Sequence, residues 1–356
     1  MRHVFIVNPV SGKADASLTL VPRIVAACAK ADVEYEIRLT DHPGHAEELA
    51  RAEAEQGTPV RLYACGGDGT LNEVLRGACG YANAAVGCVP CGSGNDFIRN
   101  FGERSQFLDL DAQLAGSEQP IDLMSTNAGL CASICAVGLD AQVAYGIPKY
   151  RRMPLCGGSM AYLLSIAESL CGRLGHRLAI ELDGETLKEE CLLVALCNGT
   201  TYGGGFNAAP EADLQDGLMD VIIVRKVSRL RIAGILGVYK KGTHLQNGKV
   251  VPSVKDIVIY RRTRSVKLRC LDGRDIIAAV DGEGTPTREV TVQMMPRAGR
   301  FVLPQGTTVG RRAAAANTLK FSLRINLQSI LRYTSSLQKK FIKNIIPANN
   351  YEQLQD

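Results

Sequence analysis

The chain reads as an α/β protein in two parts, a mostly parallel sheet with helices followed by a β-rich segment. Two observations predict this. Short β-forming runs alternate with amphipathic helix patterns up to residue 122, and from about 123 strand patterns dominate. A third observation marks the working edge. Glycine-rich loops follow successive strands of the first part, which gathers their amides at one edge of its sheet.

In order, the first part predicts strands at 3–7, 33–39, 60–65 and 84–89, and helices at 15–31, 44–56 and 70–79. The second predicts strands at 131–137, 177–182, 187–197, 219–224, 253–260, 266–270, 276–280 and 290–294, with helices near 158–172 and 228–242. A chain of 356 residues, 46% hydrophobic, buries a large core. The expected division is 1–122, 123–304 and a basic extension at 305–356.

The most informative loop is Gly66-Gly67-Asp68-Gly69-Thr70-Leu71-Asn72. It lies between an apolar strand and an amphipathic helix. Amides and the positive end of a helix dipole there hold phosphate oxygens, and glycine lets the backbone approach a ligand. A lone carboxylate beside polyphosphate repels it unless it meets a metal ion or a moving proton. The plain alternative is a tight turn carrying an exposed Asp.

Three more loops share that position. Asn8-Pro9-Val10-Ser11-Gly12-Lys13 lacks the first glycine of a P-loop, yet offers a glycine, a hydroxyl and an ammonium beside a helix start. Thr40-Asp41-His42-Pro43-Gly44-His45-Ala46 places Thr40 within reach of a nucleotide and makes His45 a helix N-terminal residue rather than a catalyst. Pro90-Cys91-Gly92-Ser93-Gly94-Asn95-Asp96-Phe97 is a second glycine-rich loop with hydroxyl and amide side chains at its tip.

Taken in order, NPxSGK, TDxxGHA, GGDGTLNEV and PxGSxNDF resemble the diacylglycerol kinase catalytic-domain family, which includes sphingosine and ceramide kinases and is distantly similar to NAD kinases. Asn198-Gly199, Asp216-Gly217-Leu218-Met219-Asp220 and Asp281-Gly282-Glu283 extend the match, which covers roughly 1–304. The resemblance implies a three-layer, NAD kinase-like first domain and a β-sandwich lipid-kinase domain. It implies ATP as phosphoryl donor, cradled by Asn8, Pro9, Ser11, Gly12, Lys13, Thr40, Gly66, Gly67, Asp68, Gly69, Thr70, Asn72, Ser93, Asn95 and Asp96. Ser93 replaces the more usual Thr and keeps the hydroxyl. Mg²⁺ is expected at Asp68, and a structural Mg²⁺ at the Asp216 carboxylate with backbone oxygens of Asp213 and Leu218. Catalysis falls to Asp68 and Glu283. Either carboxylate can take the lipid hydroxyl proton as that oxygen attacks the γ-phosphorus, and the choice stays open. Diacylglycerol is the favoured acceptor, ahead of sphingoid bases, ceramide or another lipid.

Composition agrees. Trp is absent and aromatics are few, so no base-stacking platform accompanies the basic charge and nucleic acid is not an expected partner. Residues 225–274 carry fourteen Lys/Arg against Asp256 and Asp272, and 311–356 carry eight against Glu352 and Asp356. Such faces are attracted to anionic head groups. No apolar run reaches the ~18–20 residues that span a bilayer. A peripheral enzyme at the inner face of the membrane is therefore expected. Twelve scattered Cys with no signal peptide read as cytosolic thiols, and Cys88/Cys91 has CxxC spacing without a second pair. Lys339, Lys340 and Lys343 among apolar residues of the tail suggest a membrane-surface helix or a loose extension. The family resemblance also points to a homodimer. Two rivals remain: an NAD kinase-like enzyme and a non-catalytic lipid- or nucleotide-binding protein. The late Asp281-Gly282-Glu283 motif and the NPxSGK start disfavour the first. Joint retention of Asp68, Asn95, Asp96, Asp216 and Glu283 disfavours the second.

Overall fold

The computed structural model describes residues 1–12, 15–92, 94–153 and 158–309. Lys13, Ser93 and the readings on 310–356 lie outside the described residues. The first part runs β1 (Arg2–Val7), α1 (Ala16–Ala31), β2 (Tyr35–Leu39), α2 (His45–Ala54), β3 (Val60–Gly66), α3 (Asp68–Ala78) and β4 (Ala84–Pro90). The strands are parallel in the order β2-β1-β3-β4. Their register aligns Val7 with Leu39 and Cys65, and Cys65 with Val89. The loops that begin at Asn8, Thr40, Gly66 and Pro90 therefore leave the sheet side by side.

Alternation along each strand makes the three layers. Val4, Ile6, Leu62, Ala64 and Val86 bury one face with Leu71, Val74 and Leu75 of α3 and the alanines of α2. Phe5, Val7, Tyr63, Cys65 and Val89 bury the other with Leu20 and Ile24 of α1. Asp15 caps α1, its carboxylate accepting from the Ser17 amide at 2.8 Å.

Short helices α4 (Arg104–Phe107) and α5 (Leu110–Leu114) lead to β5 (Ser117–Thr126), β6 (Gly129–Cys131), β7 (Ile134–Gly138), α6 (Leu139–Arg151), α7 (Gly158–Cys171), β8 (His176–Leu182), β9 (Glu185–Cys197), β10 (Met219–Arg225) and α8 (Arg229–Lys241). The hairpin β11 (Leu245–Gln246) and β12 (Lys249–Val250) precedes β13 (Val258–Thr263), β14 (Ser265–Cys270), β15 (Ile276–Val280), β16 (Glu283–Thr287) and β17 (Glu289–Leu303). The antiparallel path β16-β15-β7-β9-β8-β14-β17 folds around Val137, Ile180, Val194, Leu196, Val266 and Val292. The opposite residues of β9 and β10, among them Leu193, Ala195 and Ile222, face Ile232 and Tyr239 of α8. This is a β-sandwich with a helical cover.

Several expectations needed correction. The single strand at 131–137 is two strands broken at Ala132-Ser133, whose amides turn to Asp281. The strand expected at 253–260 begins at Val258, because Pro252–Val254 forms a 3₁₀ turn. The strand at 290–294 extends to Leu303. It pairs with β14 and β5, then bulges between Met295 and Gly299. Its end brings Phe301 parallel to Val86 of β4. Phe301 completes the aromatic group Phe97, Phe101 and Phe107, with centroids 5.3, 4.9 and 6.3 Å away.

Candidate active site

The aligned strand ends make a cradle of closely approaching backbones. The Gly66 carbonyl accepts from the Cys91 amide (2.8 Å), the Gly92 amide (3.1 Å) and the Asn95 side chain (3.0 Å). A Cβ on Gly66 would stand 2.3 Å from Thr70 Oγ1, and one on Gly92 would stand 2.6 Å from Gly67 Cα. Neither position has room for a side chain. Gly69 opens on space. Gly12 has φ +99°, and a Cβ there would meet the Cys91 carbonyl at 2.9 Å. Asn8 ties this first loop to α3, with Nδ2 donating to Thr70 Oγ1 at 3.1 Å and Oδ1 accepting from the Val10 amide. Within the same loop the Ser11 amide bonds the Asn8 carbonyl and the Ala16 amide bonds the Pro9 carbonyl. Thr70 and Asn72 are buried on α3.

Helix α3 starts at Asp68, two residues before the sequence pattern placed it, because Gly67 adopts the extended N-cap conformation. Asp68 therefore sits in the first turn, at the positive end of the dipole. Its Oδ1 accepts from the Phe97 amide at 3.3 Å. Burial, then the nearby Asp96 carboxylate, pushes its pKa up to about 6, against hydrogen bonds from Phe97, Asn95 and Asp96 that pull it down. Asp96 accepts from the Gly204 amide at 2.6 Å and pairs with Arg99 at 3.1 Å. Gly204 lies in the Tyr202–Phe206 segment of the second part, so Asp96 ties the two glycine-rich loops together. Asn95 takes a left-handed φ of 53°, and its buried Oδ1 has no protein partner. An orphaned acceptor inside a cradle without side chains fits a ligand that brings both anionic oxygens and donor groups, as a nucleotide triphosphate does.

Glu283 opens β16, exposed, with Arg76 of α3 at 3.9 Å. Arg76 also donates to Glu47 of α2. Asp281 is half-buried and structural. Its two oxygens accept from the amides of Ala132 (2.6 Å), Ser133 (2.9 Å) and Ile134 (2.9 Å), and burial still raises its pKa. Asn198 is fully buried and donates to the carbonyls of Asp122 and Ala132, both at 2.7 Å. Asp122 in turn accepts from the amides of Gly217 and Arg297.

The loop carrying Asp213, Asp216 and Leu218 lies under that network. Asp213 accepts from the Gln215 amide and Asp216 from the Leu218 amide, each at 3.0 Å. The second Asp216 oxygen is held by Arg262. A cation therefore already neutralises this carboxylate, and a metal ion there must displace the guanidinium. At the far edge, the Thr40 amide bonds the Val7 carbonyl at 3.0 Å, and His45 is the first residue of α2, stacked on His42 at 4.6 Å. The N-terminus of α2 is capped by Glu73, which accepts from the amides of Gly44 (3.0 Å) and Ala46 (3.2 Å). Glu73, Arg76 and Asp281 received no role from sequence reasoning, whereas Tyr202–Phe206, which carries Gly204, reads in the sequence as a segment suited to a substrate mouth. The partners of the first three lie far along the chain, although Glu73 and Asp281 sit inside the quoted motifs.

The fold is a parallel α/β sheet continued into a β-sandwich, and its loops gather amides around one carboxylate, Asp68. A family described as "Diacylglycerol kinase catalytic domain" matches residues 2–126, and "YegS C-terminal NAD kinase beta sandwich-like domain" matches 133–303. A protein named "Diacylglycerol kinase" from Staphylococcus saprophyticus is 30% identical over 79% of this chain and 88% of its own length. One of the same name from Bacillus subtilis strain 168 is 27% identical over 76% and 89%. A crystal structure of a diacylglycerol kinase from Bacillus anthracis str. Sterne shares the fold with TM-score 0.61 at 17% identity, covering 85% of this chain and 96% of the other. The chain belongs to the diacylglycerol kinase catalytic-domain family, and with it to the lipid kinases.

Proposed function

We propose that the enzyme transfers the γ-phosphoryl group of ATP to the free hydroxyl of diacylglycerol, giving phosphatidic acid, with Mg²⁺ as the required cation. The observation that carries this reading is the cradle: Gly66, Gly67 and Gly92 clear a surface of amides around Asp68, and Arg76 of the same helix lies 3.9 Å from Glu283. Names carried by the relatives point to the same acceptor.

Phosphoryl transfer depends mainly on positioning and charge neutralisation. The amides at 66–70 and 92–96 and the Asn8 loop bind and orient the phosphates. The lipid hydroxyl oxygen attacks the γ-phosphorus, the bond to the ADP oxygen breaks, and the hydroxyl proton passes to a carboxylate. We assign that proton to Glu283, which is exposed at the start of β16, and the phosphate-facing role to Asp68. Asp68 would also hold Mg²⁺, whose contribution is neutralisation of phosphate charge. At the loop 213–218 a structural Mg²⁺ would take the place of Arg262 beside Asp216, with backbone oxygens of Asp213 and Leu218. We further propose that the enzyme works bound to a membrane surface. No described helix is long and apolar enough to cross one. Tyr145, Met160 and Leu163 of α6 and α7 expose apolar surface that a bilayer would cover.

The test is transfer of labelled γ-phosphate to diacylglycerol, a sphingoid base, ceramide and NAD, with and without Mg²⁺. Label on diacylglycerol that disappears in Asp68→Ala and without Mg²⁺ supports the reading. Label on NAD alone, or on another lipid alone, overturns the acceptor assignment, and ATP binding without any transfer overturns catalysis.

A further inference from the structure

Away from the nucleotide cradle, three side chains with metal-binding atoms meet at one end of the sandwich. His176 begins β8, Cys270 ends β14 and Asp272 follows it. The two strands are antiparallel neighbours, with Cys270 opposite Leu178 and the Leu271 amide bonded to the Arg177 carbonyl at 2.8 Å. One imidazole nitrogen, the thiol sulfur and one carboxylate oxygen all lie within 4.8 Å of one another. His176 Nδ1 and Asp272 Oδ2 are 4.0 Å apart, and these side chains are only 12% and 10% exposed.

We propose that His176, Cys270 and Asp272 bind a thiophilic divalent metal ion, with Zn²⁺ the best chemical fit. Imidazole, thiolate and carboxylate are all Zn²⁺ ligands, and three protein ligands with one open position make a recognised tetrahedral arrangement. Bond lengths of about 2.0–2.3 Å put tetrahedral ligand atoms roughly 3.3–3.8 Å apart, so side-chain rotation of about an ångström closes the set. Two further features fit. The other ring nitrogen, His176 Nε2, lies 3.1 Å from Gln142 Nε2 of α6, and turning that side-chain amide over presents Gln142 Oε1 to accept the Nε2 proton of a ring that ligates through Nδ1. The Arg177 amide, Arg173 and His176 all meet Asp272 at Oδ2, which leaves Oδ1 for an ion. Arg173 is half exposed and can swing into solvent when the ion arrives.

The site would fasten α6 to the sandwich. Gln142 lies one turn before Tyr145, and a Cβ on Gly284, next to Glu283, would stand 2.9 Å from Tyr145 Cβ. Metal binding therefore stiffens the helix that backs Glu283. This inference stands apart from the choice of acceptor.

Co²⁺ titration of the full chain, followed by absorption and by thermal melting, tests it. One equivalent is expected to give a thiolate-to-cobalt charge-transfer band with tetrahedral visible bands, and Zn²⁺ is expected to raise the melting temperature. Both effects should vanish in Cys270→Ser and in His176→Gln and persist in Cys171→Ser, which removes an exposed thiol elsewhere. Failure of Cys270→Ser to fold leaves His176→Gln to decide. Absence of the thiolate band in the unaltered chain, its persistence in the folded variants, or a spectrum without sulfur arising from Asp41, His42 and His45 overturns the proposal.

Discussion

Asp281 shows how much of this site is held by groups that do no chemistry. One carboxylate gathers three consecutive amides and so breaks the strand run at 132–133. Asp281→Ala strands those donors in the interior and should cost roughly 2–4 kcal/mol, read as a lower denaturant midpoint. Nothing in the local sequence announces this, since the amides lie about 150 residues upstream. The glycines are different. Gly66 and Gly92 were legible because a strand-to-helix turn rich in glycine has few purposes other than close approach. Gly92→Ala drives a methyl into the Gly67 backbone and should abolish nucleotide protection against proteolysis while the fold survives. Asp140 supplies a pH effect. It is half-buried with Tyr202 and the Ala141 amide as partners, and desolvation lifts its pKa to about 6 from the ordinary 3.8. A carboxyl raised on folding holds its proton more tightly in the native state. Its stabilising term is full below about 3.8 and is lost as the pH rises through about 6. The gap is worth roughly 3 kcal/mol, so Asp140→Asn should flatten the fall of melting temperature across that window.

Among elements, α6 was absent from the sequence reading, because Gly146 and Pro148 interrupt its pattern and its periodicity is weak. The helix forms through tertiary contact: it packs on β15, β16 and α7, and the Gly146 backbone comes close to Ser165 of α7. The parallel strands β1, β3 and β4 were legible in type and nearly in extent, since each is buried on both faces and reads as a nearly continuous apolar run, whereas the edge strand β2 is half exposed. Helix α3 gained Asp68 at its start, a gain that depends on the conformation of Gly67. Gly284 is where α6 meets β16. Gly284→Ala pushes Tyr145 and with it the start of β16, and a displacement of about an ångström at Glu283 should lower phosphoryl transfer by roughly 10–100-fold with little change in ATP affinity.

For the molecule as a whole, β17 is the decisive element, and its length was underestimated because Pro296, Gly299 and the arginines at 297 and 300 hide the bulged middle. Its last three residues complete both faces of the first sheet, Phe301 and Leu303 on one side and Val302 on the other. Phe301→Ala should cost about 3–5 kcal/mol. A fragment ending at 126 should melt without a cooperative transition, since its aromatic group lacks the ring that closes it. The order of events during synthesis follows. Residues 1–126 leave the ribosome early, yet their core is finished by a strand translated some 175 residues later. At bacterial or eukaryotic elongation rates that interval is on the order of ten to forty seconds. Throughout it the nascent first half offers an unfilled aromatic slot and an unpaired edge at β4 to whatever binds such surfaces, so how long the first half stays unfinished is set by the position of a single phenylalanine.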